Sequence, residues 1–512
     1  MIANSSYLDE KGDLITSPKI ERIKNLNEIP SPYLMGLLDD YFDGRLLPVV
    51  QTNRGCPFTC TFCTEGQQIW SLVKRKDPLL VEQELDYIAR KLSELPSEKR
   101  RHDLLIADSN FGMYKEDLDV CKKIASIQDQ YGWPTYINVA TGKNNKERVL
   151  EATTLVKGAI NLAGSVQTLN TAVQENIKRS NISREQILSL AQSSKLLGAD
   201  SYSELILALP GETKKTHIDA INTLVDAGFV YVVMYQLMLL PGTEMNGSVT
   251  RKSNELATKW RVIPRAFSTY EFLGRQVSVG EVEEIVIGTK DLSFQDYLDC
   301  RLYALVVNIF YNNGVFQELL DLLNLYNLKT STWLNYIYEN FKSGLQSGTE
   351  DRLIKLVSQF LEDTSQELWP TKSELMDYLS TSIGVQCFIN GEFGSNLIYK
   401  YKALSITLAL EDICDCAISS LERVVFEKGI INADNRLLIR TIVRHNYLRM
   451  QGLFDSSEYE DHFAEVYSFD LVSALDILTS TDETSGERDV AQIENVVTQK
   501  CSVILTRRNS HQ

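Results

Sequence analysis

Three cysteines within eight residues, Cys56-Pro57-Phe58-Thr59-Cys60-Thr61-Phe62-Cys63, constrain this chain more than any other stretch of it. They are spaced C-x3-C-x2-C and close an apolar run at 46–50, and no fourth Cys or His stands nearby. A structural zinc site normally has four protein ligands. Iron–sulfur clusters are held by Cys thiolates, usually four of them. Three thiolates at this spacing therefore point to a cubane cluster with one iron left for another ligand. Gly55 and Pro57 bend the backbone so that the sulfurs can converge. A zinc knuckle, or a set of buried structural cysteines, is the plainer alternative.

The rest of the composition narrows the function classes. At 512 residues there is room for two or three domains with ample core. A formal charge of -16 argues against a nucleic-acid phosphate surface, which relies on Lys/Arg-rich faces. It is compatible with a local basic pocket for one anionic metabolite. The first residues show no signal-peptide pattern, and the longest apolar candidate, 304–311, is too short to span a bilayer. A soluble, cytoplasmic protein is expected. Nine cysteines in a chain this long are not a disulfide framework. Cys414-Asp415-Cys416 reads as two small residues in a helix, with a metal pair as the sharper alternative.

Taken in order, 1–45 reads as an extended leader, since Pro30 and Pro32 disfavour a helix. Strand candidates follow at 46–50, 103–108, 136–140, 159–165, 204–209 and 229–237. Helices lie between them: one opens at Asp77-Pro78 with an N-cap and a first-position proline. Others begin near Glu116, after a capping box at Ser183-x-x-Gln186, and at Lys214. Such alternation predicts a parallel sheet with right-handed crossovers, and periodicity leaves barrel and doubly wound sheet both open. Residues 261–290 read as irregular, with one short strand at 284–287. From 291 to 450 the period is helical, and 451–512 is a helical or partly disordered tail with a polar linker at 479–489.

The cysteine loop, with the aromatic Phe62 before its last cysteine, resembles the signature of radical S-adenosylmethionine (SAM) enzymes. That resemblance implies an open (β/α)6 partial TIM barrel over 46–290, with the helical domain behind it. It implies a 4Fe-4S cluster on Cys56, Cys60 and Cys63 whose open iron is chelated by SAM, and reductive cleavage of SAM to a 5′-deoxyadenosyl radical. Hydrogen abstraction from a small metabolite or biosynthetic intermediate would follow, with a flavodoxin or ferredoxin as electron donor. SAM contacts are expected near strand ends: Asp108 or Asn110 for the amino group, and Ser165, Gln167 and Glu204 for ribose and amino acid. Arg179 would pair with the SAM carboxylate, and a solvated helix end is the alternative for it. Phe62 and Leu240 complete the set, Leu240 with Leu239 beside the adenine, where plain core is the alternative. The segment 108–112 departs from the Gly-Gly-Glu found there in many of these enzymes.

Segments at 29–33, 178–181, 209–213 and 240–244 add a likeness to the branch carrying cobalamin-binding domains. Only 55 residues precede Cys56, and they hold no Asp-x-His-x-x-Gly, the first histidine being His102. Cobalamin is thus possible but unsupported by a domain in this chain. The alternatives are a cobalamin-dependent methyltransferase with the cofactor on a partner chain, or a non-catalytic metal-binding scaffold. No Ser/His/Asp triad or phosphate loop is present, and the five histidines show no ligand spacing.

Overall fold

A computed structural model describes residues 5–451, apart from 19–22, 143, most of 180–200, 382 and 430–432. The capping box at Ser183, the tail at 451–512 and the linker at 479–489 lie outside the described residues. The chain divides into two compact units: Met1–Phe58 with Gln68–Asn161, and Thr59–Gln67 with Leu162–Gln512.

The first unit is built on a parallel sheet in chain order, Val49–Val50, Asp103–Phe111 and Tyr136–Thr141. The first strand is shorter than expected because Pro48 has no N–H to donate; its carbonyl accepts from Leu105 instead, at 3.0 Å. Ile137 bridges in parallel to Ile160, the next segment along. Helices Pro78–Ser93 and Asp117–Tyr131 cover the sheet. Asp77 caps the first of these, accepting from Leu79 N at 2.9 Å, with Pro78 at the first turn as the sequence requires. Val81, Leu85, Ile88 and Leu92 form its buried stripe against Leu104, Ile106 and Ile137.

The leader is not simply extended. Ser6–Leu8 and Leu14–Thr16 pair as an antiparallel hairpin. Its turn is held by Asp9 Oδ1, which accepts from Lys11 N and Asp13 N at 2.9 Å each. Further on, the buried Tyr33 accepts from Val49 N at 2.9 Å and fixes this segment to the first strand.

The second unit repeats the pattern with Leu162–Ala163, Ser201–Leu207 and Tyr231–Gln236, again parallel and in chain order. Helix Lys214–Ala227 covers this sheet, with a Thr213/Thr216 capping box and a left-handed Gly228. The region 261–290 differs most from its reading. It belongs to a long antiparallel hairpin, Ala257–Phe272 with Arg275–Gly288. Leu273 and Gly274 turn it with positive φ (50° and 71°), as a tight two-residue hairpin loop demands. Its base joins the continuation of the sixth strand: Leu239 N donates to Glu284 O, and Val286 N to Leu237 O, both at 2.9 Å.

Helices then run to Ala433–Gln451. Phe294–Phe310 is buried almost all round, so it forms the centre of the helical region. Phe310 meets Phe316, Trp333 and Phe341 with ring centroids about 6 Å apart. Cys414 and Cys416 sit in helix Leu410–Glu427, as two ordinary helical residues would. The fold is α/β, with open parallel sheets and a helical C-terminal region. No described helix is long and apolar enough to cross a membrane.

Candidate functional site

The loop from Gly55 to Gly66 is shaped by backbone, and its two glycines show why. Gly55 has φ 117°, and a Cβ there would lie 2.8 Å from the carbonyl oxygens of both Trp70 and Leu72. The same close approach lets Cys56 N donate to Trp70 O at 2.9 Å. A Cβ on Gly66 would stand 2.2 Å from Cys60 O. Cys63 N donates to Cys60 O, and Gly66 N to Cys63 O, at 3.2 and 3.1 Å. Thr61 is clamped on both sides, its N–H to Ile177 O and its carbonyl from Met245 N. The boundary between the two units falls inside this loop, between Phe58 and Thr59.

In the first unit, Cys56 is a free, buried thiol that accepts from Asn110 Nδ2 at 3.3 Å. Asn110 Oδ1 is buried without a hydrogen-bond partner. Asp108 is occupied by the chain itself. Its Oδ1 accepts from Thr52 N and Asn53 N at 2.8 and 3.2 Å, and its Oδ2 from Asn53 Nδ2 at 2.7 Å and the Thr52 hydroxyl. Burial pushes its pKa up to about 6, against the pull of these donors. Asp108 therefore fixes the turn that launches the cysteine loop.

In the second unit, Cys60 is a buried cysteine 3.9 Å from Arg179 Nη1. Arg179 Nη2 donates to Ser165 O. Arg179 as a whole is 6% exposed, so it does not stand out in solvent. Burial lowers its pKa and the neighbouring Cys60 thiol opposes that shift. Gln167 adopts φ 64°, donates to Glu204 O at 2.8 Å, and leaves Oε1 buried without a partner. Glu204 lies inside the fifth strand, which starts at Ser201, so it does not begin the strand as expected. Phe62 packs with Leu237, Leu239, Val173 and Ile177, whereas Leu240 stands outside that core. Cys63 is half-buried.

The structure thus joins Asn110 to Cys56 and Arg179 to both Cys60 and Ser165. The polar partners Thr52 and Asn53 escaped the sequence reading, because nothing local marks a residue that answers a carboxylate 55 positions away. Among the described residues no group of three His, Cys, Asp or Glu side chains is arranged to hold one metal ion. A cubane takes each thiolate at a separate iron, a wider arrangement than a single ion requires. Cysteines outside any disulfide, neighbouring N–H donors and a loop closed to Cβ atoms fit that group. For a corrin, the described residues before Cys56 offer a short antiparallel hairpin, 3-10 turns and two-residue strands at 49–50 and 53–54, with no strand–helix–strand cradle among them.

Among curated proteins, the chain is 30% identical over 312 residues to the 2-(S-pantetheinyl)-carbapenam-3-carboxylate methyltransferase of Streptantibioticus cattleyicolor, covering 59% of this chain and 44% of that protein. It is 31% identical over 244 residues to the cobalamin-dependent radical SAM methyltransferase TokK of Streptomyces tokunonensis, covering 46% and 35%. The chain thus spans less than half the length of either relative. Among solved structures, the cobalamin-dependent S-adenosylmethionine radical enzyme OxsB, with aqua-cobalamin and S-adenosylmethionine bound, matches at 13% identity. That match covers 87% of this chain and 64% of the other, with a TM-score of 0.39. Residues 50–224 match the Radical SAM superfamily, whose cofactors are a 4Fe-4S cluster and SAM. These residues match a radical SAM domain over about a third of the chain.

Proposed function

We propose that the chain is the SAM-cleaving part of a small-molecule methyltransferase, with a 4Fe-4S cluster on Cys56, Cys60 and Cys63. The observation that carries the cluster assignment is the loop itself, where the buried Cys56 and Cys60 each face a buried N–H donor. Methyl transfer is favoured over hydrogen abstraction alone because both curated relatives bear methyltransferase names. Hydrogen abstraction from the substrate is retained as a step of the same proposal.

When bound, the cluster supplies the electron that opens the sulfonium bond of SAM. The chain's own groups hold and orient. Asn110 steadies Cys56 with its amide nitrogen and offers Oδ1 to the SAM ammonium. Gln167 offers Oε1 to a ribose hydroxyl, with Ser165 and Glu204 as neighbours along the chain and strand. Arg179 stands against Cys60 and presents positive charge for the SAM carboxylate. Phe62 and Leu240 are assigned to the adenine side, and Asp108 acts through the turn it holds. A flavodoxin or ferredoxin would deliver the electron, and a corrinoid would come from another chain.

Anaerobic reconstitution followed by dithionite and SAM tests the reading. Formation of 5′-deoxyadenosine is expected, and S-adenosylhomocysteine in addition when methylcobalamin and substrate are supplied. An intact four-iron cluster that yields neither product refutes it.

A further inference from the structure

Arg301 lies in the second unit, on the central helix Phe294–Phe310, and is 6% exposed. Its guanidinium carbon sits 5.6 Å from the centroid of the Phe360 ring. Its Nε is buried with no hydrogen-bond partner, and no described residue makes an ion pair with it. Glu367 and Arg261 are the charged side chains that act on it, and Glu367 is already taken: Arg261 donates to it at 3.0 Å. A guanidinium carries five N–H donors and no acceptor, so burying it without acceptors is costly.

Its position gives that cost a direction. Tyr297, one helical turn before Arg301, accepts from Gln236 Nε2. Gln236 is the last residue of the sixth strand, at the carboxyl end where strand–helix enzymes assemble their sites. We infer that Arg301 is the seat for a carboxylate of the small molecule on which the enzyme acts. The guanidinium fork matches a carboxylate edge-on while Phe360 covers one face. A dianion would bring two charges beside Glu367, so a monoanionic carboxylate suits the setting better than a phosphate. The inference rests on the proposed function only in naming the ligand as substrate, since anion binding can be read without any turnover.

The test uses the full chain at constant ionic strength, balanced with sodium chloride. Thermal unfolding is followed against sodium acetate, sodium benzoate and inorganic phosphate, for wild type, Arg301→Met and Arg301→Lys. Wild type should gain a saturable rise in unfolding temperature with the carboxylates. Arg301→Met should bind them about tenfold more weakly or not at all, and Arg301→Lys should keep part of the response. Without ligand, Arg301→Met should unfold no earlier than wild type, because it removes a buried charge whose Nε–H lacks an acceptor. An equal carboxylate response in Arg301→Met overturns the assignment, as does a ligand-free Arg301→Met that is strongly destabilised. A larger response to phosphate than to either carboxylate overturns the choice of carboxylate. Failure here alongside normal SAM cleavage sinks this inference alone.

Discussion

Asp108 is buried and holds the turn ahead of the cysteine loop. Its folded-state pKa is raised to about 6 from 3.8, with burial the largest cause. A raised acid pKa means that the folded state holds a proton which the unfolded state has released. Its contribution to stability is therefore full below the unfolded value and lost as pH rises through the folded one. A difference of about two pKa units corresponds to about 3 kcal/mol in total, of which about 2 kcal/mol is lost between pH 4.5 and 7.5. Asp108→Asn keeps the oxygen that accepts from the Thr52 and Asn53 amides, and replaces the one facing Asn53 Nδ2. At pH 7.5 the removed charge offsets the lost hydrogen bonds, so the variant should stay within about 1 kcal/mol of wild type. At pH 4.5 it should be less stable, by about 2 kcal/mol more than at pH 7.5. Urea unfolding of the cluster-free chain at several pH values measures this. Parallel pH profiles for the two proteins would refute the reasoning.

Three further outcomes are expected. Gly66→Ala forces a Cβ against Cys60 O at 2.2 Å; reconstituted iron per chain should fall to a small fraction of wild type while far-UV circular dichroism is unchanged. Arg179→Met leaves Ser165 O without its donor and removes the cation beside Cys60. A loss of about 1–3 kcal/mol in stability and a lower cluster midpoint potential, read by potentiometric EPR, are expected. Phe310→Ala opens the aromatic cluster with Phe316, Trp333 and Phe341 and should cost about 3–5 kcal/mol in calorimetric unfolding.

The six parallel strands and helices such as 78–93 and 214–227 were legible because each has its own periodic apolar face and end signals. Asp77-Pro78 and Thr213 act locally, through hydrogen bonds within a few residues, and local patterns survive in sequence. The hairpin at 257–288 was not legible. Its outer half is largely exposed, so no alternation betrays it, and its inner charges Glu283 and Glu284 are answered by Arg261 and Arg251. A sequence reader meets those glutamates as surface residues, whereas cross-strand register pairs Glu283 with Arg261 and the helix Ser248–Ser253 brings Arg251 to Glu284.

By itself the sequence determined that three thiolates stand within one short loop after a strand, because ligand identity and spacing are covalent facts. Tertiary structure decided which neighbours answer them. Asn110 reaches Cys56 across 54 residues and Arg179 reaches Cys60 across 119, and it is packing that leaves Arg301 Nε buried without an acceptor. Such pairings arise only when distant segments share a desolvated space. There an unmatched donor or acceptor costs enough free energy to constrain the fold, and folding alone brings those groups within reach of one another.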